Sequence, residues 1–208
     1  LSRFYLVRHG ETLWNKEYKY QGQSDIPLSD TGRFQAARLS ERLKEQKIDA
    51  IYASDLQRAM ETAGIIAAPH GLKVFPAREM RELSFGIWEG CTFDEITQKW
   101  PGEMERWRQD PYNERPEGGE TLSELCDRVS KFLKTAANSH PGESILIVTH
   151  AGPIRALLSI ILNLHYDLFW KFKISNASLT VVEYDGQKDL AQSDAYIVTV
   201  NDTFHLYV

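Results

Sequence analysis

The chain has only two cysteines in 208 residues, Cys91 and Cys126, and their spacing fits no zinc motif. A disulfide framework of the kind that staples small secreted domains is therefore excluded, and a reducing, cytoplasmic setting is expected. Long apolar runs are also missing. The longest, "PIRALLSIILNL" at 153–164, contains Arg155 and is too short to span a bilayer. It reads as a core helix, and no membrane partner is expected. The opening "LSRFYLVRHG" is too short in its apolar part for a secretory signal. Positive charge is not in excess. The net charge of −5 argues against nucleic acid as a partner, so a small anion has to be held by local charge. No G-x-x-x-x-G-K-[ST] loop, G-x-G-x-x-G fingerprint, H-x-H or H-E-x-x-H pattern occurs. P-loop nucleotide hydrolysis, dinucleotide binding and zinc chemistry are thereby poor fits.

What is present is an ordinary globular composition, 42% hydrophobic and 25% charged, in a chain long enough to bury a core without staples. Residues 3–8, "RFYLVR", are apolar on both faces and predict a central strand. A helix over 27–46 follows, capped by Ser29 or Thr31, with Ala36, Leu39 and Leu43 at helical spacing. A strand at 48–54 leads to a helix at 54–67, where Ser54 and Gln57 spell a capping box. Residues 72–77 are a third strand candidate. The segment 91–122 differs in character, with Trp100, Trp107, Tyr112 and a Pro/Gly-rich loop, and predicts short helices at 93–100 and 103–109. An amphipathic helix covers 121–139, a strand 144–149, and a helix opens at Pro153. Two strands at 178–186 and 195–202 close the chain as a hairpin. Strands alternating with helices imply a three-layer α/β/α sandwich with a mainly parallel sheet, read as one domain over 1–208 with a lid insertion at about 91–122. A monomer and a homodimer are both compatible with a terminal edge strand.

"FYLVRHG" and "LIVTHAG" are alike: each is an apolar strand running into a histidine, His9 and His150, with glycine just behind. Ligands of parallel sheets bind at the carboxyl strand ends, where both imidazoles fall. Arg8 precedes His9, Arg58 lies in the first turn after another strand, and Gly152-Pro153 opens a helix whose N–H groups suit an anion. Two arginines and two histidines at one sheet edge suggest a phosphate site, because guanidinium binds phosphoryl oxygens bidentately. Glu11 and Glu82 are the candidate acids. His9 and His150 lack further metal ligands, and the paired arginines would repel a cation, so no metal and no cofactor are expected. Taken singly, each of these residues except His9 also suits an ordinary structural place; the joint pattern carries the reading.

In these motifs the chain resembles the histidine phosphatase superfamily, whose fold is phosphoglycerate mutase-like. The carriers are "LVRHGET" (6–12), "QGQSDIPLSDTGRFQA" (21–36), "YASDLQRAMETA" (52–63), "RELSFGIWEG" (81–90) and "VTHAG" (148–152), in order and nearly spanning the chain. The resemblance implies that His9 is phosphorylated, that Arg8, Arg58 and a protonated His150 hold the phosphoryl group, and that Glu82, holding its proton near neutral pH, is the proton donor. It implies that Asn15, Gln21, Gly22 and Ala151 border the pocket. Trp107 and Arg108, with Trp100, Tyr112 and Arg115 from the lid, are candidates for contacts beyond phosphate, although the tryptophans equally suit packing. The length resembles the phosphatase branch, including α-ribazole phosphatases of cobalamin biosynthesis, acting on a small phosphorylated substrate. A cofactor-dependent phosphoglycerate mutase and a non-catalytic module that binds phosphorylated ligands are the alternatives.

Overall fold

The computed structural model describes residues 1–207. Six strands form one sheet: β1 (Ser2–Arg8), β2 (Ala50–Ala53), β3 (Val74–Pro76), β4 (Ser144–Thr149), β5 (Leu179–Tyr184) and β6 (Tyr196–Asp202), in the order β3-β2-β4-β1-β5-β6. The pairings β2–β3, β2–β4 and β1–β4 are parallel, and β1–β5 and β5–β6 are antiparallel. The expected mainly parallel sheet with a terminal hairpin is what forms.

Helices cover both faces: α1 (Leu13–Lys16), α2 (Asp30–Leu43), α3 (Gln57–Ala67), α4 (Phe93–Lys99), α5 (Glu103–Gln109), α6 (Leu122–Ser139) and α7 (Ala151–Ile161). The strands read apolar throughout because alternate residues enter different cores. Tyr5, Val7, Leu146 and Val148 pack with Leu39, Leu43, Ala63 and Ile66 of α2 and α3. Phe4, Leu6, Ile145 and Ile147 pack with Leu125, Val129, Leu133 and Ile154 of α6 and α7. Truncating one of the leucines, isoleucines or Phe4 to alanine costs about 2–5 kcal/mol where the site cannot collapse. No helix among the described residues is long and apolar enough to cross a membrane.

Local signals set most boundaries. Ser29 caps α2 by accepting from Gly32 N at 3.1 Å. Thr121 with Glu124 and Thr92 with Glu95 form capping boxes at α6 and α4. The Ser54–Gln57 box does not form. Helix α3 starts at Gln57, after Leu56 in extended backbone with no side-chain cap. Ser54 Oγ instead lies 2.8 Å from His150 Nε2, so the tertiary partner outcompetes the local cap. Helix α7 begins at Ala151, two residues before Pro153, which sits within the first turn.

The segment 91–122 is packed into the main core. Ile96, Met104 and Trp107 are buried within the cluster that includes Trp88 and Phe85. Trp107 meets Trp88 edge-on at 5.6 Å between ring centroids and Trp170 at the same separation.

Candidate active site

The register Arg8↔Thr149 pairs the last residues of the parallel neighbours β1 and β4. The next residue on each strand is a histidine, so the topology alone brings His9 and His150 together. Their ring centroids are 5.0 Å apart in an edge-on contact. Both are buried. His9 N donates to Thr149 O at 2.9 Å, and Ala177 N and Asn176 Nδ2 both donate to His9 O at 3.1 Å. Gly10 N donates to Thr62 Oγ1 at 3.1 Å. A Cβ on Gly10 would stand 2.3 Å from Gly32 O, so the turn after His9 can press against the start of α2 only with glycine there.

The His9 ring is fixed in one tautomer. Nδ1 lies 2.7 Å from Gly10 O, and a carbonyl oxygen can only accept, so Nδ1 carries the hydrogen and Nε2 keeps its lone pair. Burial, reinforced by the charges of Arg58 and Arg8, holds the His9 pKa well below its usual 6.5. The ring is therefore neutral at ordinary pH, with the Nε2 lone pair available. His150 is pushed well down by burial first, then by Arg58, His9 and Arg8. With only Arg58, His9 and Arg8 beside it the imidazole is neutral, and a phosphoryl dianion in contact would shift it back toward the protonated form that the resemblance implies.

The positive charge belongs to the arginines. Arg58 is fully buried, with Nη1 donating to Ser24 O and Nη2 to Gly22 O, both at 2.7 Å. Arg8 Nη1 donates to Ile174 O at 2.6 Å. Burial lowers both pKa values to about 10, which leaves both guanidiniums charged at neutral pH. The Nε of each is buried without a hydrogen-bond partner. Unpaired buried donors are costly, and an incoming anion offsets that cost. Glu82 stands opposite. Its Oε1 accepts from Leu83 N at 2.8 Å and Gly152 N at 3.0 Å, so Oε2 is the oxygen left to handle a proton. The helix end that sequence suggested for an anion thus gives its Gly152 N–H to Glu82.

Arg8, His9, Asn15, Gln21, Gly22, Arg58, Glu82 and Ala151 all line one cavity of about 400 Å³ at the carboxyl edge of the sheet. Asn15 Oδ1 is taken up by Thr12 N and Asn176 Nδ2, both at 3.1 Å, which leaves its NH₂ for a ligand. Gln21 Oε1 accepts from Thr12 Oγ1 at 2.8 Å.

Residues 4–194 match the histidine phosphatase superfamily (branch 1). The chain belongs to the histidine phosphatase superfamily. It is 33% identical over 206 residues to phosphoserine phosphatase 1 of Hydrogenobacter thermophilus, covering 99% of this chain and 95% of that protein. It is 37% identical over 211 residues to probable phosphoglycerate mutase GpmB of Escherichia coli, at the same coverages. Among solved structures, the α-ribazole phosphatase of Shigella flexneri superposes with a TM-score of 0.85 at 26% identity, covering 97% of this chain and 96% of that one.

Within this histidine phosphatase, the outer wall of the cavity departs from expectation. It is built by Trp14, Tyr18, Lys19 and Tyr20, by Phe85 and Phe93, and by Arg155 and Trp170. Trp107 is only 4% exposed and lies behind this wall, packed on Phe85, Trp88 and Trp170. Arg108 stacks over the Phe93 ring at 4.9 Å and does not itself line the cavity. Tyr112 stacks on Tyr166 and borders a different, apolar cavity, and Arg115 pairs with Glu124 at the surface. Of the segment 91–122, Phe93 alone reaches the wall. Arg155 hides in an apolar helix run, and only its helical spacing behind Ala151 could have signalled it.

Sequence reasoning also missed Arg128. Its guanidinium grips the Glu120 carboxylate at 2.6 and 2.9 Å. It also donates to the carbonyls of Glu79, of Arg81 at 2.7 Å and of Glu82 at 3.0 Å. This clamp fixes the main chain that presents Glu82.

Proposed function

We propose that the protein is a metal-independent phosphomonoesterase that works through a phospho-His9 intermediate. The observation that carries this reading is a neutral His9 with its Nε2 lone pair free, flanked by two charged arginines with unpaired Nε donors and faced by Glu82. His9 Nε2 attacks phosphorus in line with the leaving oxygen. The P–O bond breaks as the P–N bond forms, and Glu82 Oε2 delivers a proton to the departing alcohol. Arg8 and Arg58 meet the charge on the equatorial oxygens, with the His150 N–H and the Asn15 NH₂ as further donors. The Glu82 carboxylate then removes a proton from water. The resulting nucleophile breaks the P–N bond, releases inorganic phosphate and restores His9. The arginines supply the charge a metal would otherwise bring, and their field disfavours a cation in the cavity.

The test is hydrolysis of p-nitrophenyl phosphate in the presence of chelator, alongside His9→Ala. Turnover is expected to persist in chelator and to fall at least about 10³-fold in the variant. Loss of activity in chelator, or an active variant, refutes the mechanism.

The natural substrate is a small phosphate ester. α-Ribazole 5′-phosphate is one reading, supported by the aromatic wall, on which a base can stack. A phosphoglycerate mutase is the second, supported by the 37% identity to GpmB. Interconversion of 3- and 2-phosphoglycerate with a bisphosphoglycerate primer favours the mutase, and net phosphate release favours the phosphatase.

A further inference from the structure

We propose that Asn176 is a positioning residue for the phosphoryl site: its side-chain NH₂ sets the plane of the Asn15 amide and so aims the Asn15 NH₂ into the cavity. The proposal deepens the phosphatase reading above and rests on it for the turnover assay. Asn176 lies in "ISNAS" at 174–178, the turn that leads into β5, and it does not itself line the cavity. An asparagine in a turn commonly bonds its own neighbouring backbone. The Asn176 NH₂ instead reaches residues 161 to 167 positions away: Asn15 Oδ1 and His9 O at 3.1 Å, and Gly10 O at 3.3 Å. All three are oxygens that only accept, which identifies the NH₂ end of the Asn176 amide. Its two hydrogens serve the two acceptors at 3.1 Å, and Gly10 O shares one of them.

Each of these oxygens has two lone pairs, and in each case another donor takes the second. Thr12 N donates to Asn15 Oδ1 at 3.1 Å, Ala177 N to His9 O at 3.1 Å, and His9 Nδ1 to Gly10 O at 2.7 Å. Donors approach a carbonyl near its own plane, so a carbonyl held through both lone pairs has that plane fixed. The Asn15 NH₂ is coplanar with its carbonyl, so fixing the plane fixes where the N–H bonds point. Thr12 N by itself holds a point and not a plane. The same Asn176 group fastens the main chain of His9 and Gly10, so one side chain ties the nucleophile's backbone to the phosphoryl donor beside it. The turn that presents Asn176 is over-determined. Ala177 takes a left-handed φ of 51°, which alanine rarely adopts, and bonds on both sides keep it there. Its N donates to His9 O, and its O accepts from His205 Nε2 at 2.9 Å. Ser175 N donates to Asn201 Oδ1 at 2.6 Å, and Ile174 O accepts from Arg8 Nη1. The turn is thus pinned to β6 and the chain beyond it on one side, and to residues 8–15 on the other.

The experiment is a double-mutant cycle on the full chain: wild type, Asn15→Ala, Asn176→Ala and the double variant, read as kcat/KM for p-nitrophenyl phosphate. Asn176→Ala is expected to lower kcat/KM by about tenfold to a hundredfold. In the Asn15→Ala background the same change is expected to cost at least about fivefold less, because the amide it orients is gone. Additive losses overturn the proposal, since Asn176 then supports the fold or His9 alone. Asn176→Asp supplies a second variant of the same shape without the N–H groups. It is expected to lose at least as much as Asn176→Ala. Activity near that of the wild type overturns the proposal, because the side chain then only fills space. Calorimetric binding of inorganic phosphate to the same four proteins runs the cycle without turnover. Coupling in binding with no ester hydrolysed upholds Asn176 and refutes the phosphatase reading. Hydrolysis with additive losses upholds the phosphatase and refutes the role of Asn176.

Discussion

Gly152→Ala separates the proton-transfer machinery from the fold. Gly152 does not have a left-handed φ, so alanine suits its backbone, and it lies in the first turn of α7. The obstacle is Glu82. A Cβ at position 152 would stand 2.1 Å from Glu82 Oε1, with Leu125 Cδ2 at an ordinary 3.5 Å. The atom in the way is the tip of a flexible side chain, so the carboxylate yields and the helix stays. It must retreat by about 1 Å, which also breaks the 3.0 Å bond from Gly152 N. A misplacement of about 1 Å at a reacting centre costs on the order of 10²-fold, within the 10²–10⁴ that a positioned general acid supplies. The expected fall in kcat for an alkyl phosphate is therefore about 10²-fold, or roughly 2.7 kcal/mol in the barrier. p-Nitrophenolate leaves without help from an acid, so kcat/KM for p-nitrophenyl phosphate, which reports the steps up to its departure, should fall much less than for the alkyl ester, while kcat for both esters falls with the shared attack of water on phospho-His9. The melting temperature should hold or rise, since replacing glycine in a helix is worth up to about 1 kcal/mol. An equal loss of kcat/KM on both esters, or an alkyl phosphatase activity like that of the wild type, refutes the placement of Glu82 as proton donor.

Three further outcomes follow from the same geometry. Arg128→Met releases the main chain at Glu82 and strands Glu120, whose side chain is only 14% exposed. A loss of about 3 kcal/mol, read as a melting temperature lower by roughly 6–12 °C, is expected together with a reduced kcat. His9 and His150, with His205 to a lesser degree, have native pKa values below the unfolded 6.5. Below about pH 6.5 the unfolded chain takes up protons that the folded chain does not, so stability falls with acidification, by up to about 1.4 kcal/mol per pH unit for each such histidine. Thermal melts between pH 7.5 and 5 should show this slope, and His9→Gln/His150→Gln should flatten it. Trp107→Phe should lower the melting temperature by an amount equivalent to about 1–2 kcal/mol while kcat/KM stays near wild type, because the ring packs behind the cavity wall. A specific loss of substrate affinity would return Trp107 to the site.

The floor of the cavity, the proposed phosphate site, was legible because each part is local: a strand, a histidine at its end and a glycine behind it. The pairing of β1 with β4 then makes two such strings neighbours, and the similarity of "FYLVRHG" to "LIVTHAG" hinted at that. The wall was not legible, because it is assembled from residues 14–22, Phe93 and the stretch around Trp170, whose proximity no periodicity encodes. Arg155 illustrates the difficulty. Inside "PIRALLSIIL" it reads as a tolerated charge in a core helix, and only the position of Phe172 and Trp170 gives it an orientation. Ser54 illustrates the reverse error. The string S-x-x-Q is a sound capping signal, but a buried imidazole competes for the same hydroxyl.

The interlock of Gly10 with Gly32 bears on how such a catalyst can diversify. A Cβ at either position would strike main chain: Gly32 O at 2.3 Å from one side, Glu11 O at 2.1 Å from the other. No compensating substitution can relieve a clash with backbone, so random replacement at these two sites should return only glycine among active clones. The wall at Trp14, Tyr20, Phe93 and Trp170 consists of side chains and carries no such restriction. Selection for new substrates therefore has somewhere to work without disturbing the proposed bond cleavage: the turn that seats His9 is moulded into main chain, and the choice of alcohol is left to interchangeable side chains.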